Sequence, residues 1–185
     1  MGQKFQEISE RLQHFIHEQK MFFVATAAAD GYVNLSPKGM DSLRVLTPNR
    51  VIWLNVTGSG NETAAHVFEN PRMTLMFMSL TGSPMILRLY GTAKVVHKND
   101  AEWQTLASMF PPIAGARQIF DLSVELVQSS CGMAVPLFDY VADRDALSSW
   151  AEKKGEEGIS EYWREKNQTS LNGKPTYILE KHQKP

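Results

Sequence analysis

The chain has 185 residues, 43% of them hydrophobic, which suits one domain with a sizeable core and at most a short appended subdomain. Nineteen basic and 20 acidic residues leave a net charge of −1, with no electrostatic footprint for nucleic acid and no polybasic membrane anchor. A single cysteine, Cys131, excludes an internal disulfide and a cysteine-based metal site, and no apolar run reaches the roughly 18 residues of a membrane helix.

The opening stretch GQKFQEISERLQHFIHEQK puts Phe5, Ile8, Leu12, Phe15 and Ile16 on one face and predicts a first helix. It lacks the apolar centre of a secretory signal, so a soluble cytoplasmic protein is expected. MFFVATAAAD and VNLSPKG are extended runs on either side of Asp30-Gly31, a hairpin signal. SLRVLT and RVIWLNV pair across Pro48-Asn49. After the Gly58–Gly60 turn, ETAAHVFEN reads as a helix of about two turns stopped by Pro71. RMTLMFMSL and MILRLYGTAKVVH are strands joined by TGSP. NDAEWQTLASMF opens with a capping box, Asn99 to Glu102, and reads as helical. DLSVELVQSSCG returns to a strand pattern. From Asp143 the chain is charged and helical, punctuated by Gly155 and Gly158, and the tail GKPTYILEKHQKP reads as partly extended or loose. About six strands joined mostly by short turns, with helices inserted singly, predict an antiparallel barrel rather than a parallel β-α-β sheet. In RMTLMFMSL, Met73, Leu75 and Phe77 share one face while Met76, Met78 and Leu80 share the other. An apolar outer face wants a helix or another subunit against it, and a homodimer is the economical reading.

Four places bear on chemistry. In NVTGSGNETAAHVFENPR a strand ends on glycines and a helix starts at once. Its N-terminal N–H groups, with Asn61 and Thr63, would suit a phosphate, whereas a plain turn capped by Asn61 explains the same residues. Glu62 opposes a dianion unless it points away. In NLSPKG, Pro37 marks an edge or bulge, leaving the N–H groups of Lys38 and Gly39 free beside the Ser36 hydroxyl and the Lys38 ammonium; an ordinary edge strand is the alternative. Arg88, on a face with Ile86 and Tyr90, either binds an anion or pairs with a carboxylate such as Glu62 or Asp41. Cys131 is expected to be a small buried thiol. His14, His17 and His66 need no more than solvated or capping roles, and Trp103, Trp150, Tyr162 and Trp163 are expected to pack helices. No Ser-His-Asp arrangement, Walker loop or dinucleotide fingerprint is present.

In order, FVATAAADGYVNLSPKG, VIWLNVTGSGNETAAHVFENPRMTLMF and ILRLYGTAKVV resemble the pyridoxamine 5′-phosphate oxidase-like, FMN-binding split-barrel superfamily over about residues 21–135. The resemblance implies a mainly β fold with helices: a six-stranded antiparallel split barrel over 1–140, then a helical C-terminal extension over 141–185 packed on the barrel or on a partner subunit. It implies a homodimer with FMN in clefts between subunits and a flavin-dependent oxidoreductase, with NADH or NADPH as reductant and a substrate it does not name. A non-catalytic carrier or sensor of flavin, deazaflavin or haem is the alternative. Carried over by position, Ser36, Pro37, Lys38 and Gly39 lie along the flavin ring and ribityl chain. Asn61, Glu62 and Thr63 form the phosphate loop, and Arg88 sits on a strand passing near the ring. Enzymes that oxidise vitamin B6 phosphates carry an Arg-Lys pair where this chain has Glu62-Thr63, and end in a basic, histidine-containing segment that YILEKHQKP does not match. That activity is not expected here.

Overall fold

The computed structural model describes residues 2–182; Met1 and the end of the tail read as loose, Gln183–Pro185, lie outside the described residues. The order is β1 (Gln3–Phe5), α1 (Glu10–Glu18), β2 (Phe22–Thr26), β3 (Asn34–Lys38), β4 (Leu43–Thr47), β5 (Arg50–Val56) and α2 (Glu62–Glu69). Then come β6 (Arg72–Met78), β7 (Ile86–Val96), α3 (Trp103–Ala107), β8 (Ala116–Ser130), α4 (Ala146–Lys166) and α5 (Ile178–His182). One antiparallel sheet runs β3-β2-β6-β7-β8-β5-β4, with β1 added along β8. Its two end strands, β3 and β4, are consecutive and joined only by residues 39–42. That link spans at most about 18 Å fully extended, so the sheet must curl until its free edges approach. The result is a barrel split along the β3/β4 seam.

Strand alternation fills the inside. Val24, Leu43, Trp53, Leu75, Leu89 and Leu122, from six different strands, join one core cluster with Leu12, Phe15 and Ile16 of α1 and Ala64 and Val67 of α2. Phe22 stacks on Phe77 at 5.8 Å and Trp53 on Phe120 at 4.8 Å, ring geometry that adds to simple burial. The other face of β5 and β8 offers Ile52, Leu54 and Ile119 to Trp103 and Leu106 of α3. The C-terminal extension packs Ala151, Ile159 and Trp163 against Ile178, and the Trp163 indole donates to Thr57 Oγ1 at 2.9 Å. α4 bends at Gly155, whose φ of 65° and ψ of 177° are open to glycine at little cost. Among the described residues no helix is long and apolar enough to cross a membrane.

Several expectations need correction. The sheet has eight strands, not six: all seven extended runs of the sequence take a place in it, and Gln3–Phe5 supplies the eighth. Those first residues are not helical because they pair with Val127–Ser129; the helix starts only after Ser9, in extended backbone. α3 begins at Trp103 rather than at a box on Asn99. Glu102 holds the N-cap position, and its carboxylate accepts from Lys94 Nζ at 2.8 Å instead of returning to the backbone. The tail is helical over Ile178–His182. Cys131 is exposed, because the sheet pairing ends with Ile86 opposite Ser130 and the chain leaves the barrel there.

Candidate functional site

The loop before α2 is lifted off the sheet by a register break. Pairing of β5 with β8 slips between Asn55 and Val56, and Thr57 then bonds Gly115 twice, N–H and Oγ1 each donating to its carbonyl at 2.8 Å. Gly58, Ser59 and Gly60 carry the chain from there to the N-terminus of α2. A Cβ built on Gly58 meets nothing within 4 Å, so the space beside the loop is not filled by the chain itself. Asn61 holds the N-cap position, yet its side chain makes no cap bond. It is 2% exposed, and both its amide nitrogen and its amide oxygen are unpartnered. Leaving such groups unsatisfied costs about 1–3 kcal/mol each. A simple turn cap would have used them.

β3 forms the neighbouring wall. Asn34, Ser36 and Lys38 stand opposite Thr26, Val24 and Phe22, whose side chains are buried, and so share their inward face. Leu35 and Pro37 point outward and are exposed. Asn34 Nδ2 donates to Thr63 Oγ1 at 3.1 Å and to Thr26 Oγ1 at 3.4 Å, and Thr26 Oγ1 lies 3.2 Å from His66 Nδ1. This chain of bonds fastens the edge strand to the start of α2. His66 is therefore buried and engaged, not solvated or a cap, since α2 turns it inward with Ala64, Ala65 and Val67.

Positive charge lies close by. The Lys38 ammonium sits 5.0 Å over the Trp53 ring. Burial, helped by the charge of Arg117, holds its pKa down to about 8. Arg117 is 3% exposed and donates from Nη1 to Gly60 O at 3.1 Å and to Asn167 Oδ1 at 2.6 Å, while its Nε is unpartnered. Burial lowers its pKa to about 9. Beside it in sequence, Gln118 accepts from Asn55 Nδ2 at 3.4 Å and leaves its own Nε2 unpartnered.

Of the residues singled out from sequence, Ser36 and Lys38 share the inward face of β3, Thr63 is tied to that strand through Asn34, and Asn61 is buried just before Thr63, with Gly39 following β3 and Pro37 on its outer side. Glu62 is held at the loop's edge: both carboxylate oxygens accept from the Leu171 N–H, at 3.0 and 3.1 Å, and Oε1 lies 3.8 Å from a Cβ built on Gly60. Arg88 is not part of the group within one protomer. Leu87 and Leu89 point into the core, so Arg88 lies on the outer face, where Nη1 donates to Ser130 Oγ at 3.1 Å rather than to Glu62 or Asp41. Arg117 went unnoticed in the sequence because the strand pattern reads clearly only from Asp121. An arginine among Ala116, Ile119 and Phe120 was the available signal.

The family model described as pyridoxamine 5′-phosphate oxidase matches residues 8–131. A pyridoxamine 5′-phosphate oxidase family protein of Aspergillus flavus, UstO, is 35% identical over 191 residues, covering 92% of this chain and 76% of its own. Two solved structures share the fold. A single-substitution variant of Group A Streptococcus HupZ has a TM-score of 0.55 at 21% identity, over 66% of this chain and 99% of that one. A Lactobacillus delbrueckii protein provisionally named a pyridoxamine 5′-phosphate oxidase has a TM-score of 0.54 at 22% identity, over 66% of this chain and 94% of that one. The family model over most of the chain and the 35% identical relative show that the chain belongs to the pyridoxamine 5′-phosphate oxidase family.

Proposed function

We propose that this protein is an FMN-binding, flavin-dependent oxidoreductase whose sites form between two copies of the chain. The observation that carries the reading is Asn61, buried at a helix N-terminus with its amide wholly unpartnered beside a loop where a Cβ on Gly58 would meet nothing within 4 Å. The donor set fits a phosphorylated ligand. Asn61 Nδ2 would donate to the phosphate, as would Thr63, whose oxygen already accepts from Asn34 and whose proton remains to give. The Leu171 N–H would anchor the Glu62 carboxylate at the edge of the loop. Ser36–Gly39 would line the ring, with the Lys38 ammonium placed to stabilise negative charge on it. When bound, FMN supplies the hydride and electron transfer, so the protein's part is to bind, orient and stabilise charge.

The shared site rests on the outer sheet face. Phe23, Met76, Met78, Ile86 and Tyr90 are half-buried there, and Leu35 is 63% exposed. Such a face is costly to leave in water. Phe23→Glu is expected to convert a dimer into monomers in sedimentation velocity and to lose bound flavin with it. A monomeric wild type, or a variant that stays dimeric and yellow, would remove the shared site.

The direct test is the spectrum and mass of what co-purifies, followed by titration with FMN and then NADH or NADPH. FMN that binds and bleaches supports the enzyme. Bound flavin that stays oxidised with both reductants makes the protein a carrier; a haem-type band or a deazaflavin mass replaces the cofactor; no binding of any of these ends the reading.

A further inference from the structure

We propose that Arg117 is a positioning residue that gives the Gly58–Asn61 loop its preference for a phosphorylated over an unphosphorylated flavin, acting through the Gly60–Asn61 peptide. The inference rests on the FMN reading above but concerns a residue outside the loop and outside the helix. Arg117 is buried on β8, and its guanidinium meets a carbonyl and a neutral amide; among the described residues no carboxylate pairs with it. A buried cation is ordinarily paired, because the cost of taking it out of water is several kcal/mol. Among the described residues no carboxylate compensates its charge, and one guanidinium nitrogen, Nε, is left unpartnered. An anion held at the loop would supply the charge.

The route is the peptide itself. Arg117 Nη1 donates to Gly60 O, and a charge-assisted bond on a carbonyl makes the N–H of the same peptide, that of Asn61, a stronger donor. The fixed charge also adds to the positive end of α2. A cation behind the loop thus does the work that a basic side chain within it would do, in a chain whose own loop carries Glu62. The C-terminal extension fixes the geometry. Asn167 accepts from Arg117 at 2.6 Å and donates from Nδ2 to Gly58 O at 3.1 Å, and its backbone carbonyl accepts from Thr176 Oγ1 at 2.6 Å. One side chain therefore holds both the cation and the loop.

The test compares FMN with riboflavin, which lacks the phosphate, by flavin fluorescence titration of the full chain. Arg117→Met removes the charge with little change in length but leaves Gly60 O and Asn167 Oδ1 without that donor; Arg117→Gln removes the charge but keeps an amide donor. Both variants are expected to lose about 10- to 100-fold in FMN affinity, the scale of a hydrogen bond to a charged group, and to keep riboflavin affinity within about twofold. The wild-type FMN preference is expected to shrink with added salt and the variants' residual preference to shrink less. A variant that folds and keeps the wild-type ratio, or loses both ligands equally, overturns the assignment and leaves the FMN reading standing. Failure of both variants to fold marks Arg117 as structural and also overturns it. A wild type that binds neither ligand sinks the FMN reading itself, and this inference with it.

Discussion

Gly91→Ala is expected to cost about 4 kcal/mol or more, at the upper end for a single substitution, or to prevent folding altogether. Gly91 sits in the middle of β7, where pairing with β8 slips: Tyr90 stands opposite Leu126 but Gly91 opposite Val124. The bulge presses the two strands together at this point. A Cβ on Gly91 would lie 1.9 Å from the Ser123 carbonyl oxygen, 2.9 Å from its carbon and 3.1 Å from Val124 Cα. All three are backbone atoms, so no rotamer change relieves the clash and the ladder itself must part. β7 and β8 are central strands, and their inward residues Leu87, Leu89, Leu122 and Val127 hold the core together. Gly58→Ala is the control, because its added methyl meets nothing within 4 Å and should change stability by no more than about 1 kcal/mol. Urea midpoints of the two variants decide the matter, and a wild-type midpoint for Gly91→Ala would show that the strands separate more easily than their register indicates.

The same bulge shows what a sequence discloses and what it hides. FFVAT and RMTLMFM are legible as extended runs, and their inward residues, Phe22, Val24, Leu75 and Phe77, do form the core. Pro37 marks an edge strand, and β3 is one, since a residue without an N–H loses no ladder bond there. Phe5 misleads because its spacing to Ile8 and Leu12 suits a helix face, while the vacant side of β8 at Val127–Ser129 takes Gln3–Phe5 as a strand. That competition is tertiary and leaves no local trace. The loop at Gly58–Asn61 is legible from glycines followed by a helix start, but the failure of Asn61 to cap it is not. Arg117 is a matter of register: only the pairing of Asn55 with Gln118 and Trp53 with Phe120 shows which way β8 presents its neighbours. The partner of Glu62 is likewise hidden, since the N–H that its carboxylate accepts from belongs to Leu171, 109 positions later.

Lys38→Ala combined with Thr63→Ala is expected to weaken FMN binding by about 2–5 kcal/mol, the scale of one charge-assisted and one neutral hydrogen bond lost together. The two residues belong to different elements, β3 and α2, and would serve opposite ends of the ligand, so their losses should nearly add. Thr63 is the milder change, removing a hydroxyl that Asn34 already orients. Lys38 carries a pH signature. Its pKa, held to about 8 by burial and then by Arg117, lies below the ordinary lysine value. In the ligand-free protein the unfolded chain therefore binds the extra proton between pH 8 and the ordinary value, and stability should rise with pH through that window. Ligand affinity should run the other way. Negative charge on the reduced ring favours the ammonium, so affinity for reduced FMN should be higher below about pH 8 and decline above it as the Lys38 charge is lost. Lys38→Ala alone should flatten the part of the denaturation slope nearest pH 8 and leave the part that buried Arg117, held down to about 9, contributes above it. Unchanged FMN affinity in the double variant would remove both residues from the site. A wild type with two flat pH profiles would instead place the Lys38 ammonium in water, away from the flavin ring.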